Sequence, residues 1–210
     1  MPFHLTAERN ETIGAYDAIH QLYDAETRDF WERFPASNVR EFVSALPGKE
    51  VLNLGSGPGR DSLILRDHGL DVTCVDGSRQ MVRMTAELGF RSLKANLADM
   101  TIEGVFDGIW AYSSLIHLTF AQSKQLISSI QNNMRPGGVL FLGLIEGTGN
   151  ETRNVAGSKF ARYFEYYDAA KVESLLAGTS LVLQYHDTFR PGNHTYLNYI
   201  FKKGASDLQR

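Results

Sequence analysis

The chain of 210 residues has one cysteine, no cluster of basic residues and no paired histidine spacing. A lone thiol, Cys74, cannot close an internal disulfide, so the chain suits a reducing, cytoplasmic setting. Cys74 lies in the apolar run DVTCVD, where it reads as a packed small hydrophobe and not as a reactive thiol. A formal net charge of −3 leaves no basic face for nucleic acid and no polybasic segment for a membrane surface. The opening MPFHLTAERNETIG lacks the charged-then-apolar pattern of a signal peptide and holds no membrane-spanning run. The six histidines have no carboxylate cluster beside them, so no metal site is expected. What is present, 43% hydrophobic and 21% charged residues without repeats, fits one globular unit with a single large core.

Apolar runs and helical periodicities alternate along the chain. EVLNL (50–54), DVTCVD (71–76), RSLKANL (91–97), FDGIWAYSS (106–114) and VLFLGLI (139–145) predict strands. Helices are expected over 60–68, over 78–88 with Ser78 as the cap, and over 121–134. The near-continuous apolar strands are those of a sheet covered on both faces. The prediction is therefore an α/β fold: a doubly wound, Rossmann-like parallel sheet in a three-layer sandwich. Residues 11–34 predict one or two amphipathic helices covering a sheet edge, with Tyr16, Ile19 and Tyr23 on one face. Asp168–Leu176 predicts a helix, and the two runs flanking RPGN predict an antiparallel C-terminal hairpin. His186 and His194 are expected to face each other across it, on the sheet surface. The polar stretch 146–159 is too long for a tight connection and is expected to be a lid or a mobile loop.

The chemistry is concentrated in EVLNLGSGPGRD. Glycines at 55, 57 and 59, between a strand and a helix, let a ligand press against the backbone. A phosphate-binding P-loop would need Gly-Lys-Ser/Thr where Gly59-Arg60-Asp61 stand, and a dinucleotide fingerprint would need glycine at position 60. Asp76 closes the second strand, where an acidic residue can hold ribose hydroxyls. Loop and acid together point to a nucleoside held against bare backbone, without a pyrophosphate at the helix end.

With these motifs, VLNLGSGPGRD and VTCVDGSRQMV, followed by KANLADM, FDGIWAYSSLIHL and NMRPGGVLFLGL, the chain resembles the class I S-adenosylmethionine-dependent methyltransferases from Lys49 onward. The resemblance implies a single methyltransferase domain over 1–210, with 1–45 as an N-terminal helical lid. S-adenosylmethionine would be the cofactor and S-adenosylhomocysteine the product. Gly55, Ser56, Gly57 and Gly59 would back the methionyl part. Asp76, with Gly77, Ser78 and Met81, would hold the ribose side; Asn96 and Leu97 would lie beside the adenine; Tyr112, Ser113 and Ser114 would line the pocket near the sulfonium. Tyr16 would close over the cofactor. Many family members carry an acidic residue where this chain has Asn53 and Asn96, so weaker cofactor binding is expected.

Among side chains near the end of the fourth strand, His117 is the candidate base, against the plainer role of packing the next helix; Tyr112 would orient the acceptor or simply bury its ring. Tyr16, Glu146 and Arg162 are candidate substrate contacts, Arg162 being suited to a carboxylate. By exclusion, the acceptor is a small organic molecule methylated at oxygen, nitrogen or sulfur, handled by a monomer or homodimer without nucleic-acid or membrane partners. Two alternatives stand beside this reading: a non-catalytic nucleoside-binding protein and an NAD-dependent oxidoreductase.

Overall fold

A computed structural model describes residues 3–156 and 159–204, with side chains from Glu11 onward. The elements in order are α1 (Phe3–Glu26), α2 (Arg28–Glu32), α3 (Ala36–Ala45), β1 (Glu50–Leu54), α4 (Arg60–Asp67), β2 (Asp71–Asp76), α5 (Arg79–Glu87), β3 (Arg91–Lys94) and β4 (Phe106–Tyr112). They continue with α6 (Phe120–Ile130), β5 (Met134–Ile145), β6 (Asn150–Asn154), β7 (Ala161–Glu165), α7 (Ala169–Leu176), β8 (Leu181–Phe189) and β9 (Tyr196–Lys203).

Seven strands form one sheet in the order β3-β2-β1-β4-β5-β9-β8. The first five run parallel, and the β8–β9 hairpin closes the edge antiparallel to β5. Alternation along β1 and β4 sends side chains to two separate cores. Leu52, Leu54, Ile109 and Ala111 pack with Leu126 and Ile127 of α6 and Leu175 of α7. Val51, Trp110 and Tyr112 pack with Phe42 of α3 and Leu65 of α4. This is the expected three-layer sandwich. Strand order reverses between β1 and β4, and open α/β sheets bind ligands beyond the strand ends at such a switch point.

Several boundaries differ from the sequence reading, each for a local reason. The third strand stops at Lys94 because the Asn96 side chain accepts the Ala98 N–H at 3.1 Å and turns the chain off the sheet. The fifth starts early, at Met134: Phe106 pairs with Met134 and Gly108 with Val139, so Arg135 to Gly138 bulge outward and Pro136 sits where no ladder bond is lost. The helix expected over 121–134 ends at Ile130 and passes into a short 3-10 turn. The stretch 146–159, expected as a lid or loop, contains β6, which pairs antiparallel with β7 in a separate two-stranded sheet. Sequence periodicity could not reveal it, because NETRN is polar on both faces. His186 packs its ring on Tyr199 at 4.5 Å, whereas His194 lies ahead of β9 and does not face it.

Candidate active site

The site lies beyond the carboxyl ends of β1, β2 and β4. Gly55 and Gly57 leave β1 at φ +70° and +51°, conformations open to glycine without penalty. Ser113, directly after β4, is held at φ +53° and is the one non-glycine residue with positive φ among the described residues. Strain of that kind gathers where a fold positions a ligand. The Ser113 N–H is fixed to the Gly143 carbonyl at 2.8 Å. Gly143 is glycine for a second reason: a Cβ there would meet the Tyr112 ring at 2.2 Å.

Asp76 ties the loop together. Its carboxylate accepts the Gly57 N–H at 2.9 Å and the Ser78 N–H at 2.8 Å. Burial pushes its carboxyl up to about 6, against those two donors. A carboxylate offers about four acceptor positions, so acceptor capacity remains for a ligand. Asp76 lines a cavity with Gly55, Gly57, Gly77 and Met81; Asn96 and Leu97 close one side, and Tyr112, Ser113 and His117 the other.

The roof is α1. Asp17 and Asp24, two turns apart, reach the N-terminal ends of the two helices flanking the glycine loop. Asp17 accepts from Ser78 Oγ at 2.6 Å and from the Gln80 N–H at 3.1 Å, while Asp24 pairs with Arg60 at 2.7 Å. One turn before Asp17, Ile13 packs against Gly77, where a Cβ would come within 2.8 Å. Tyr16 and Tyr23 meet edge to face at 5.1 Å.

A second, larger cavity of about 370 Å³ adjoins the first and shares Tyr16, Tyr23, Tyr112, Ser113 and His117 with it. At the partition, His117 Nδ1 lies 2.7 Å from the Tyr163 carbonyl oxygen, and Nε2 lies 2.8 Å from the Tyr16 hydroxyl. A carbonyl can only accept, so the ring proton is on Nδ1. Nε2 is therefore a lone pair that accepts the Tyr16 O–H. Burial lowers the imidazole to about 4, which keeps it neutral. The Tyr16 phenol is raised by burial, with the nearby Arg162 acting against that rise.

Of the residues singled out from sequence, most meet around these two cavities, Ser56 and Arg162 at the larger one. Three stand elsewhere. Gly59 caps α4, where a Cβ would press on Thr85 at 3.0 Å. Ser78 caps α5 and is spent on Asp17 and Met81. Glu146 is exposed and bridges to Tyr167 at the strand end, outside both cavities. Asn53 is also outside: buried under α4, it donates to Ser62 Oγ at 2.8 Å. The sequence reading did not single out Thr12, Phe30, Trp31, Arg153 or Tyr196 as site residues. For Thr12, Phe30 and Trp31 the only signal was the amphipathic face of residues 11–34, which looked like ordinary edge cover; Arg153 and Tyr196 lie outside it.

Residues 51–138 match a family model described as a methyltransferase domain. Among curated relatives, the chain is 28% identical to a cypemycin N-terminal methyltransferase of a Streptomyces species, over 62% of this chain and 53% of that protein. It is likewise 28% identical to a demethylmenaquinone methyltransferase of Beutenbergia cavernae, over 65% of this chain and 58% of that protein. The chain thus spans little more than half the length of these relatives. Among solved structures, a DhpI–SAH complex superposes with a TM-score of 0.78 at 20% identity, covering 94% of this chain and 97% of the other. A Burkholderia thailandensis 1,6-didemethyltoxoflavin N1-methyltransferase, bound to 1,6-didemethyltoxoflavin and S-adenosylhomocysteine, superposes at 0.73 with 22% identity, covering 97% and 91%. No described helix is long and apolar enough to cross a membrane.

Proposed function

We propose that this chain, whose residues 51–138 match a methyltransferase-domain family model, is a class I S-adenosylmethionine-dependent methyltransferase that transfers a methyl group to an oxygen, nitrogen or sulfur atom of a small organic acceptor. The observation that carries the reading is Asp76 at the end of β2, with acceptor capacity to spare, in one cavity with the bare backbone of Gly55 and Gly57. The residues fit the cofactor by a second criterion. Ser113 Oγ, Ser114 Oγ and Tyr112 Oη, on residues that line this cavity, are buried without a hydrogen-bond partner, and such atoms are costly unless a ligand or water meets them.

S-adenosylmethionine supplies a methyl group already activated on a sulfonium. What remains for the protein is to hold, align and dry the reactants, and positioning of that kind can be worth roughly 7–11 kcal/mol of barrier. In this reading Asp76 holds the ribose hydroxyls, Asn96 and Leu97 flank the base, and the Gly55–Gly57 backbone lies along the methionyl chain. The adjoining larger cavity takes the acceptor. Tyr16 and the lone pair of His117 Nε2 stand between the two, where an acceptor proton can be received. A base lowered to about 4 suffices there, because positive charge develops on the attacking atom and makes its proton strongly acidic. Helix α1, tied down through Asp17 and Asp24, would keep water out.

Calorimetric titration with S-adenosylmethionine, S-adenosylhomocysteine and NAD tests the assignment. Micromolar binding of the first two with none for NAD is expected; binding of NAD alone would overturn it. Since Asn53 touches neither cavity, its lack of charge leaves the cofactor untouched, and the weaker binding expected from that departure has no basis at this position. Asn53→Asp should leave the S-adenosylhomocysteine Kd within about threefold, while lowering stability by about 2–4 kcal/mol through a buried charge near Asp61. Thermal unfolding would show this as a drop on the order of 5–10 °C. A tighter Kd with unchanged stability would mean that position 53 does sense the cofactor.

A further inference from the structure

The larger cavity has two unlike walls. One is aromatic: Phe30 and Trp31 of α2 lie 5.7 and 5.2 Å from the Tyr112 ring, and Tyr196 stacks at 5.8 Å from Tyr112. The other is cationic and comes from the β6–β7 hairpin. Arg153 and Arg162 are direct cross-strand partners, so both project from the same face of the hairpin, and both line the cavity. Like charges in that relation destabilise a strand pair unless something neutralises them.

Arg153 is neutralised: it pairs with Glu151 at 2.6 Å and lies over the Phe164 ring at 4.7 Å. Arg162 is not. Among the described side chains no carboxylate lies within ion-pairing distance of it, and its Nε is buried without a hydrogen-bond partner. Its guanidinium instead faces two rings, Tyr16 and Phe164, at 5.5 Å from each centroid, and donates to the Tyr16 hydroxyl oxygen. The carboxyl groups elsewhere around the cavity do not serve it. Asp61, at the far wall, accepts from Trp110 Nε1 and the Ser62 N–H, and Glu26 lies exposed at the rim. A half-buried guanidinium that lines a cavity with no carboxylate to neutralise it is a site for an oxyanion, which it can grip through two parallel N–H bonds.

We propose that the acceptor is an organic anion with an apolar, ring-like body: Arg162 takes its carboxylate or phosphoryl oxygens, and the aromatic wall takes its body. This rests on the methyl-transfer reading for the word acceptor, but the anion site stands on Arg162 itself. The test titrates matched probes, 4-hydroxybenzoate and 4-hydroxyphenylphosphonate against neutral 4-hydroxybenzamide, into the S-adenosylhomocysteine-saturated protein and again into the protein alone. At least one anion should bind about 10–100-fold more tightly than the amide, and whichever arm wins identifies a planar or a tetrahedral oxyanion. Arg162→Gln should remove the preference and Arg162→Lys restore part of it, with the S-adenosylhomocysteine Kd within about threefold of wild type in both. Equal binding of anion and amide, no binding of any probe, or a preference that survives Arg162→Gln overturns the proposal. Because the probes are also read without cofactor, failure of S-adenosylhomocysteine to bind would count against the methyltransferase reading and not against the anion site.

Discussion

Asp76→Ala is expected to weaken S-adenosylhomocysteine binding by about 10²–10³-fold, the worth of two charge-assisted hydrogen bonds to ribose hydroxyls. The carboxylate has a second duty, accepting the Gly57 and Ser78 N–H groups, so the variant also loses the brace that shapes the glycine loop. Circular dichroism and a melting curve separate the two effects: the fold should persist with a lowered Tm, while calorimetry shows the lost affinity. A folded variant with wild-type affinity would remove the basis of the cofactor assignment. The wild-type protein should carry the same signature in its pH dependence. In the free protein the Asp76 carboxyl is raised from 3.8 to about 6, so the folded state binds more protons than the unfolded chain between those values. Its contribution to stability is thus complete below pH 4 and lost as pH rises through 6. Binding works in the opposite sense, because hydroxyl donors and a nearby sulfonium favour the ionised form. Affinity for S-adenosylmethionine should therefore fall below pH 6, with proton release on binding near that pH, measurable by calorimetry in buffers of different ionisation enthalpy.

The parts of the molecule legible in the sequence are those whose signal is local. β1, β2 and the core of β5 are apolar runs long enough to be read without context, and the glycine spacing with Asp76 marks the ligand end of the sheet. Ser78 was legible as a helix cap and is one, but a cap spent on Asp17 and Met81 is not free to touch a ligand. Gly59 failed in a similar way: the same loop that frees Gly55 and Gly57 for the cavity uses Gly59 to let α4 approach Thr85. The larger cavity was largely invisible because it is built across the chain. Trp31 meets Tyr112, and Thr12 accepts the Tyr163 N–H, contacts more than eighty residues apart that no periodicity reports. The hairpin carrying Arg153 and Arg162 is polar along β6, so its strand character comes from pairing with β7 and not from its composition.

His117→Asn should lower kcat for methyl transfer by about 10²–10⁴-fold while leaving the S-adenosylhomocysteine Kd nearly unchanged. Asparagine can still donate to the Tyr163 carbonyl, so the contact with the β6–β7 hairpin is preserved, but it offers no basic lone pair toward Tyr16. A second readout separates a base from a packing residue. With its imidazole lowered to about 4 by burial, His117 is neutral throughout the neutral range, so the wild-type kcat should show no protonation limb near pH 6.5. Activity should decline only toward pH 4, as Nε2 takes up a proton. In the variant that acid limb should vanish, and the residual rate should rise with pH as the acceptor loses its own proton in solution. Tyr16→Phe tests the connection between the two groups. It removes the O–H that occupies Nε2 but keeps the ring over which Arg162 lies. If Tyr16 relays the proton, this variant should share the kcat loss; if Tyr16 merely occupies Nε2 until an acceptor arrives, kcat should hold. A His117→Asn protein with kcat within a few-fold of wild type, and the acid limb intact, would leave His117 a structural role alone, joining α1 to the β6–β7 hairpin.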